Sequence, residues 1–317
     1  MNTLPNEKII SEAARRIKPF VHITPVITSQ NLNNQVGSEI YFKCENFQKA
    51  GAFKSRGAVN AIFSLSEIEL TKGVCTHSSG NHAAALSRAA ALRNAEAYII
   101  MPSTSSRVKI DAVRHYGGNI TFCEPNLEAR ESTLKMVQEK TGAIEIHPYN
   151  DYRIIAGQAT CAYEFFQEVD NLDLIIAPVG GGGLLSGMAL STFYFSPKTK
   201  ILAAEPKGAD DAWKSFNSKT LVPSSNPLTI ADGLLTSLGS LTFPIILKYV
   251  DEILTVKEES IVQAMKLIWE RMKIIVEPSS AVPFAAVLEN RDYFKNKKTG
   301  IIISGGNVDL EKIPWIK

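Results

Sequence analysis

LDLIIAPV at residues 172–179 opens the stretch that decides the fold, and it is followed by Gly180, Gly181, Gly182 and Gly183 and then by LLSGMALSTFYF at residues 184–195. A near-continuous apolar run predicts a strand covered on both faces, as in a parallel α/β sheet. Four glycines let several backbone N–H groups converge, and the N-terminus of the predicted helix adds positive field. The stretch therefore indicates a phosphate-binding turn, and an ordinary tight turn is the alternative.

Seven more runs of this kind predict strands, and the amphipathic segments between them predict helices. The runs are EIYFKCE (39–45), VCTHS (74–78), AEAYIIMP (95–102), NITFCEP (119–125), TKILAAEP (199–206), EILTV (252–256) and GIIISGG (300–306). Alternating strands and helices are typical of a parallel α/β fold. We predict a discontinuous large domain of residues 1–65 plus 148–317 and a small domain of residues 66–147. Small ligands commonly bind in the cleft between two such domains.

The composition excludes several classes of protein. With 317 residues, of which 45% are hydrophobic and 21% charged, the chain is expected to fold around a large core. Its net charge of +2 gives no reason to expect a nucleic acid partner. The cysteines Cys44, Cys75, Cys123 and Cys161 lack paired spacing, so neither a disulfide framework nor a zinc site is indicated. Without a signal peptide or an apolar span, we expect a cytoplasmic protein and no membrane partner.

Small polar residues stand where the strand VCTHS ends. Ser78, Ser79, Gly80, Asn81 and His82 precede the helical run AAALSRAAAL at residues 83–92. The unpaired N–H groups of a helix N-terminus can bind a carboxylate, and α/β sheets place ligands at the carboxyl ends of their strands. The alternative is that these residues only cap the helix.

Two other segments contain groups with possible chemistry. Lys54 lies between Phe53 and small residues at the start of a predicted helix, and both the apolar setting and the helix N-terminus would lower the pKa of its amine. The alternative is an ordinary solvated lysine. Ser304 follows the last strand in the turn Ser304 to Asn307, for which a plain strand–turn pair is the alternative.

These segments, in this order, closely resemble the fold-type II pyridoxal-phosphate enzymes, and within them the serine racemase and threonine/serine dehydratase family. The matching motifs are KAGAFKSRGA (49–58), HSSGNH (77–82), GGGGL (180–184), AAEP (203–206), IADG (230–233), WERMK (269–273), VEPSSA (276–281) and SGGNVD (304–309). The resemblance implies two three-layer α/β domains of the tryptophan synthase β-like architecture, with the active site in the interdomain cleft. The cofactor implied is pyridoxal 5'-phosphate.

The resemblance also implies a role for each matching residue. Lys54 would join the cofactor aldehyde as a Schiff base and later act as the base, and Phe53 would flank the cofactor ring. Asn81 would pair with the ring hydroxyl, and Ser304 would face the pyridine nitrogen. The phosphate would bind at Gly180, Gly181, Gly182, Gly183 and Leu184, and the substrate carboxylate at Ser78, Ser79, Gly80, Asn81 and His82.

The activity implied is that of an ammonia-lyase, which converts L-serine or L-threonine to a 2-oxo acid and ammonia by removal of the α-proton and loss of water. Serine racemase is an alternative, because the serine that matches Ser79 lies on the opposite face of the cofactor in racemases. A second alternative is 3-hydroxyaspartate, whose extra carboxylate needs a cation such as Arg56, Arg130 or Arg153. A non-catalytic protein that binds pyridoxal phosphate is a minor alternative.

A fifth segment suggests a metal ion. Glu205, Ala209 and Asp211 supply two carboxylates and a backbone carbonyl, ligands that Mg²⁺ or Ca²⁺ prefers, and the resemblance implies a structural or activating Mg²⁺, Ca²⁺ or Mn²⁺ there. The alternative is a solvated acidic turn. The resemblance also implies a homodimer, and it implies that the substrate is a small amino acid.

Overall fold

The protein forms two β-sheets with helices packed against them. The structure is a computed structural model that describes residues 3–78, 80–105 and 107–315. In these ranges the strands are β1 Val26–Ile27, β2 Glu39–Cys44, β3 Val74–His77, β4 Ala97–Pro102, β5 Asn119–Cys123, β6 Ile144–Glu145, β7 Leu174–Pro178, β8 Lys200–Pro206, β9 Glu252–Val256 and β10 Lys298–Ile303. The helices are α1 Glu7–Ile17, α2 Gln30–Val36, α3 Lys54–Phe63, α4 Glu67–Leu70, α5 Asn81–Ala91, α6 Arg107–His115, α7 Leu127–Thr141, α8 Tyr152–Glu168, α9 Gly183–Phe195, α10 Asp211–Ser218, α11 Thr242–Tyr249, α12 Glu258–Met272, α13 Pro278–Glu289 and α14 Arg291–Phe294.

The larger sheet has the strand order β1-β2-β10-β7-β8-β9, and the smaller one has the order β5-β4-β3-β6. Among the described strands only β1 runs antiparallel to its neighbour. All eight strands that the sequence predicts are present. The sequence did not predict β1 and β6, because strands of two residues are too short to show a periodic pattern.

β7 shows why a continuous apolar run gives a central strand. All five of its residues are buried. Leu174 and Ile176 belong to the core on one face of the sheet, whereas Ile175 and Ala177 belong to the core on the other face. Successive side chains of a strand point to opposite faces, so both sets must be apolar. Burying one large aliphatic side chain contributes about 1.5–3 kcal/mol.

The smaller sheet is built entirely from strands between residues 74 and 145. Val74 and Ile99 pack with Leu86 of α5 on one face, and Cys75 and Ile100 pack with α7 on the other. The division into residues 1–65 plus 148–317 and residues 66–147 stays a prediction, and the chain ranges of the two sheets are compatible with it.

The fold places several helix N-termini close together. Three residues separate the end of β3 from the start of α5, and four residues separate the end of β7 from the start of α9. Each of the two helices therefore begins at the carboxyl edge of its own sheet, which is where α/β sheets place their ligands. No helix of the described ranges is both long and apolar enough to cross a membrane.

Candidate active site

The segments singled out in the sequence line one cleft. Lys54, Asn81, the glycine turn and Ser304 come from four separate parts of the chain and all border it. Phe53, Ser78, Gly80, His82 and Leu184 border it as well. Ser79 lies outside the described residues, so its expected role stays a prediction. The cleft therefore gathers the described residues for which the sequence suggested a cofactor or substrate role.

Lys54 is the first residue of α3, and its amine lies at the cleft. Lys54 Nζ donates to the backbone oxygen of Pro148 at 2.8 Å and lies 5.1 Å from the centre of the Phe53 ring. Burial lowers the pKa of this amine to about 8, although the nearby Glu277 carboxylate opposes the shift. A larger share of the amine is therefore unprotonated near neutral pH than in a solvated lysine.

The glycine turn forms the start of α9. Gly182 has φ +85°, which favours glycine, and a Cβ on Gly181 would lie 2.3 Å from Cδ1 of Tyr149. The neighbouring chain therefore leaves no room for side chains here, and the backbone itself is presented to the cleft. The first N–H groups of a helix have no partner within the helix, so this turn can hold an anion.

Asn81 is held in place by a hydrogen-bond network that the sequence did not reveal. Its Nδ2 donates to Glu277 Oε1 at 2.9 Å, and its Oδ1 accepts from Asn307 Nδ2 at 3.0 Å. Burial raises the pKa of Glu277 to about 7, while the bond from Asn81 opposes that shift. The VEPSSA motif contains Glu277, but its role depends on a contact with a residue 196 positions away.

His82 cannot supply positive charge to the cleft. Its ring is buried, and burial holds its pKa well below the usual range, so the ring is neutral. Nε2 lies 3.0 Å from the backbone oxygen of Ile146 and must donate to it, which leaves Nδ1 without a proton. Within the described residues Nδ1 has no hydrogen-bond partner. The ring of His82 therefore offers no proton to a carboxylate in the cleft, and His82 can bind a carboxylate only through its backbone N–H group.

The structure distinguishes three arginines that the sequence could not place. Arg56 is buried in ion pairs with Glu45 and Glu164. Arg153 pairs with Asp151 at 2.6 Å. Arg130 borders the cleft, and its buried Nε has no partner within the described ranges. Of the three, only Arg130 is available to a ligand in the cleft.

The structure also brings together a cluster of possible metal ligands that the sequence did not predict. One nitrogen or oxygen each from His77, Glu145 and His147 lies within 4.8 Å of the others. The parallel register pairs Cys75 with Glu145, and two residues further along each chain segment the rings of His77 and His147 lie with their centres 5.8 Å apart. However, His147 Nδ1 accepts backbone N–H bonds from Tyr149 at 3.3 Å and Asn150 at 2.9 Å. The proton of the neutral ring is then on Nε2, an arrangement that does not suit a metal ligand.

The predicted cation ligands lie at the end of β8, outside the cleft. Glu205 is buried, and its carboxylate accepts from the backbone N–H groups of Ala212 at 3.0 Å and Trp213 at 2.9 Å. Neither carboxylate oxygen of Asp211 has a partner among the described residues, and both are buried. Burial raises the pKa of Glu205 to about 8 and that of Asp211 to about 6. Two buried carboxylates to which no side-chain cation is bonded suit a hard divalent cation, since the nearby Lys214 pairs with Asp210. The backbone oxygen of Ala209 lies in the same segment.

Comparisons with known proteins agree with this geometry. A family model described as "Pyridoxal-phosphate dependent enzyme" matches residues 17–305. The chain is 50% identical over 312 residues to the β-hydroxyaspartate dehydratase of Paracoccus denitrificans, covering 98% of this chain and 99% of that one. The crystal structure of serine racemase from Dictyostelium discoideum superposes with a TM-score of 0.92 at 52% identity, over 96% of this chain and 99% of that one. The crystal structure of a threonine deaminase from T.th. gives a TM-score of 0.91 at 38% identity, with 96% and 99% covered.

These matches confirm the α/β fold class and the resemblance that the motifs suggested. They extend over nearly the whole chain and include enzymes that racemise or deaminate amino acids. The chain belongs to the fold-type II family of pyridoxal-phosphate dependent enzymes.

Proposed function

We propose that this protein is a pyridoxal-phosphate-dependent ammonia-lyase that dehydrates L-serine or L-threonine to a 2-oxo acid and ammonia. The observation that carries the proposal is the Lys54 amine, which borders the cleft with a pKa lowered to about 8. An amine of this kind can serve as nucleophile and as base at the pH of a cell. The relatives named serine racemase and threonine deaminase support an amino-acid substrate.

The residues of the cleft fit pyridoxal phosphate. The turn from Gly180 to Gly183 would hold the phosphate through its backbone N–H groups, and a Cβ on Gly181 would clash with Tyr149 at 2.3 Å. The Asn81 amide, which is held by Glu277 and Asn307, would pair with the ring hydroxyl. Ser304 offers a neutral hydroxyl for the ring nitrogen, and Phe53 offers an apolar face.

When bound, the cofactor supplies an electron sink for negative charge at the α-carbon of the substrate. The residues of this chain do the rest. The Lys54 amine removes the α-proton, and in its protonated form it is a proton donor in the same cleft for the leaving hydroxyl. Backbone N–H groups at the N-terminus of α5, which begins at Asn81, would hold the substrate carboxylate.

The first test measures release of 2-oxo acid from L-serine and L-threonine. Lys54→Ala is expected to lower turnover by at least about 100-fold, since a positioned base contributes roughly 10²–10⁴. Lys72→Ala, a change at an exposed lysine, serves as the matched control. Borohydride reduction followed by peptide mapping should find a pyridoxyl group at position 54. Unchanged turnover in Lys54→Ala, or an adduct at another residue, contradicts the assignment.

A second candidate substrate is 3-hydroxyaspartate, and Arg130 favours it. The unpartnered Nε of Arg130 can pair with a second carboxylate, whereas Lys109, which also borders the cleft, already pairs with Asp232. A relative is named for this substrate. Arg130→Met should lower kcat/KM for 3-hydroxyaspartate about 10- to 100-fold and change that for L-serine much less, because a hydrogen bond to a charged group contributes about 1.5–3 kcal/mol. Equal losses for both substrates would exclude the candidate.

Racemisation is the remaining activity to test. We propose Ser79 as its second acid–base group on the strength of the HSSGNH motif and the serine racemases among the relatives. Chiral analysis of the products should show D-serine from the wild type and none from Ser79→Ala. A wild type that forms no D-serine removes this activity from the proposal.

The homodimer, the cytoplasmic location and a divalent cation at Glu205, Ala209 and Asp211 are also proposals. The unpartnered carboxylate of Asp211 supports the cation. The dimer is proposed from the family, and sedimentation equilibrium of the holoenzyme tests it. A single species with the mass of one 34.7 kDa chain would contradict it.

A further inference from the structure

Two buried hydroxyl groups meet at the end of the cleft where β10 stops. Ser304 Oγ lies 2.9 Å from Ser280 Oγ, and Ser280 is fully buried in the first turn of α13. Ser280 Oγ also lies 2.7 Å from the backbone nitrogen of Gly305 and 2.7 Å from its backbone oxygen. Ser280 thus contacts one group that only donates, one that only accepts, and one hydroxyl that can do either.

A count of protons leaves two arrangements. Gly305 N–H must donate to Ser280 Oγ, which leaves Ser280 with one proton and one lone pair. In the first arrangement Ser280 donates to the Gly305 oxygen and accepts from Ser304, so Ser304 presents lone pairs to the cleft. In the second, Ser280 donates to Ser304, and Ser304 turns its own proton to the cleft. The Gly305 oxygen keeps a donor in both cases, because Glu277 N donates to it at 3.1 Å.

We propose that Ser280 is a positioning residue that lets the Ser304 hydroxyl pair with the cofactor ring nitrogen in both of its protonation states. The inference rests on the proposed role of Ser304 and goes one step beyond it. With Ser280 present, Ser304 accepts from a protonated ring nitrogen in the first arrangement and donates to an unprotonated one in the second. In both, the hydroxyl protons of this buried pair have an acceptor.

Without the Ser280 hydroxyl, Ser304 can no longer donate its proton to Ser280, but it can still donate its proton toward the cleft. Ser304 Oγ has no other hydrogen-bond partner among the described side chains and backbone groups. Its proton can then go only to the ring nitrogen, which must be unprotonated to accept it. A buried donor left without an acceptor is unfavourable, so the protonated ring loses stability relative to the neutral ring.

Other charges around the cleft act on the ring in the wild type and in a Ser280 variant alike. The N-terminus of α13 carries positive field, which disfavours a protonated ring. The titratable and charged groups that border the cleft are Lys54, His77, His82, Lys109, Arg130, Tyr149, Asp232 and Glu277. None of them makes a hydrogen bond to the Ser280 hydroxyl, so a comparison at equal pH isolates the contribution of Ser280.

The experiment follows the ring nitrogen directly and needs no turnover. Holoenzyme is prepared with pyridoxal phosphate that carries nitrogen-15 in the ring, and its resonance is recorded between about pH 5.5 and pH 9 without substrate. Relative to the wild type, Ser280→Ala should shift the resonance toward the unprotonated position, most at the lowest pH. The shift corresponds to a fall of about one unit in the apparent pKa of the ring, the effect of one hydrogen bond.

Two variants keep this test decisive. Ser280→Thr retains the hydroxyl and should restore the wild-type resonance, so it separates the hydroxyl from packing if Ser280→Ala folds poorly. Ser191→Ala removes a buried hydroxyl that donates to the Ala159 oxygen in α8, and it should leave the resonance unchanged. No difference between Ser280→Ala and the wild type, or a shift toward the protonated position, overturns the inference.

The proposed function is judged separately. If Ser304→Ala changes the resonance while Ser280→Ala does not, only the role of Ser280 is wrong. If neither variant changes it, Ser304 does not face the ring nitrogen. If the chain takes up no pyridoxal phosphate at position 54, the proposed function itself is wrong.

Discussion

At the scale of single residues, the cleft depends on charges that lie on different segments. The Glu277 carboxylate raises the pKa of the Lys54 amine and so opposes the lowering by burial. The same carboxylate accepts both bonds from Asn81. One buried acid therefore influences both the reactivity of the amine and the orientation of the amide.

Glu277→Gln tests this coupling. The apoenzyme should take up pyridoxal phosphate at a rate that follows the unprotonated fraction of Lys54, with a midpoint near pH 8 in the wild type. Gln removes the negative charge that stabilises the ammonium form, so the midpoint should move to lower pH. Stopped-flow absorbance against pH measures it. Glu311→Gln, at an exposed position, is the control, and a midpoint that rises or stays constant contradicts the role assigned to Glu277.

The sequence predicted the residues whose chemistry is visible locally and missed those that depend on a distant partner. Lys54 and the glycine turn can be recognised in the sequence itself. A lysine between Phe53 and small residues is unusual for a solvated surface, and four consecutive glycines are more than an ordinary turn needs. Glu277 looks like an ordinary charged residue in the sequence, and Arg130 could not be told apart from Arg56 and Arg153 until the fold showed which of them borders the cleft. Ser280 is a further example, since its neighbours belong to the strand end at Ser304 and Gly305.

At the scale of elements, the turn between β7 and α9 connects a strand that must be apolar to a helix N-terminus that must lack side chains. A Cβ on Gly181 would lie 2.3 Å from the Tyr149 ring, far inside van der Waals contact. The first part of this pattern was predictable from the apolar run. The second was not, since no sequence pattern showed that Tyr149 packs against the turn.

Gly181→Ala is therefore expected to lower stability by about 1–3 kcal/mol through overpacking, and to weaken uptake of pyridoxal phosphate. Urea unfolding of the apoenzyme measures the first effect, and titration with the cofactor measures the second. Tyr149→Ala should relieve the clash, so the double variant should be more stable than the sum of the two single changes predicts. Additive losses would show that Tyr149 is not the obstacle.

At the scale of the whole molecule, a buried ion-pair network connects distant segments of the chain. Arg56 of α3 makes two 2.7 Å contacts with Glu45, which follows β2, and 3.0 Å contacts with Glu164 of α8. Lys43 of β2 joins the network through Glu164 and Glu168. The helix that begins at Lys54 is thus fixed to parts of the chain before and after the smaller sheet.

Arg56→Met should destabilise the protein by about 3–5 kcal/mol, because it leaves the fully buried Glu45 without its partner. Denaturant unfolding measures the loss. Arg107→Met removes a pair with Asp111 in which the arginine side chain is 94% exposed, and it should cost less than about 1 kcal/mol. Similar losses for both variants would mean that burial of the network does not determine its contribution.

The proposed cation site also acts on the whole molecule, because it lies outside the cleft and joins the end of β8 to the start of α10. A cation that binds the folded chain should raise its stability by about 2.7 kcal/mol at a concentration 100 times the Kd. Chelation of the holoenzyme should therefore lower Tm, and Mg²⁺ should restore it.

Asp211→Asn should abolish this response, since it removes a carboxylate that has no other partner in the described chain. Asp210→Asn is the matched control, because the adjacent carboxylate is already paired with Lys214 at 2.7 Å, and its Tm should still respond to Mg²⁺. A Tm that responds equally in the wild type and in Asp211→Asn would show that the cation binds elsewhere.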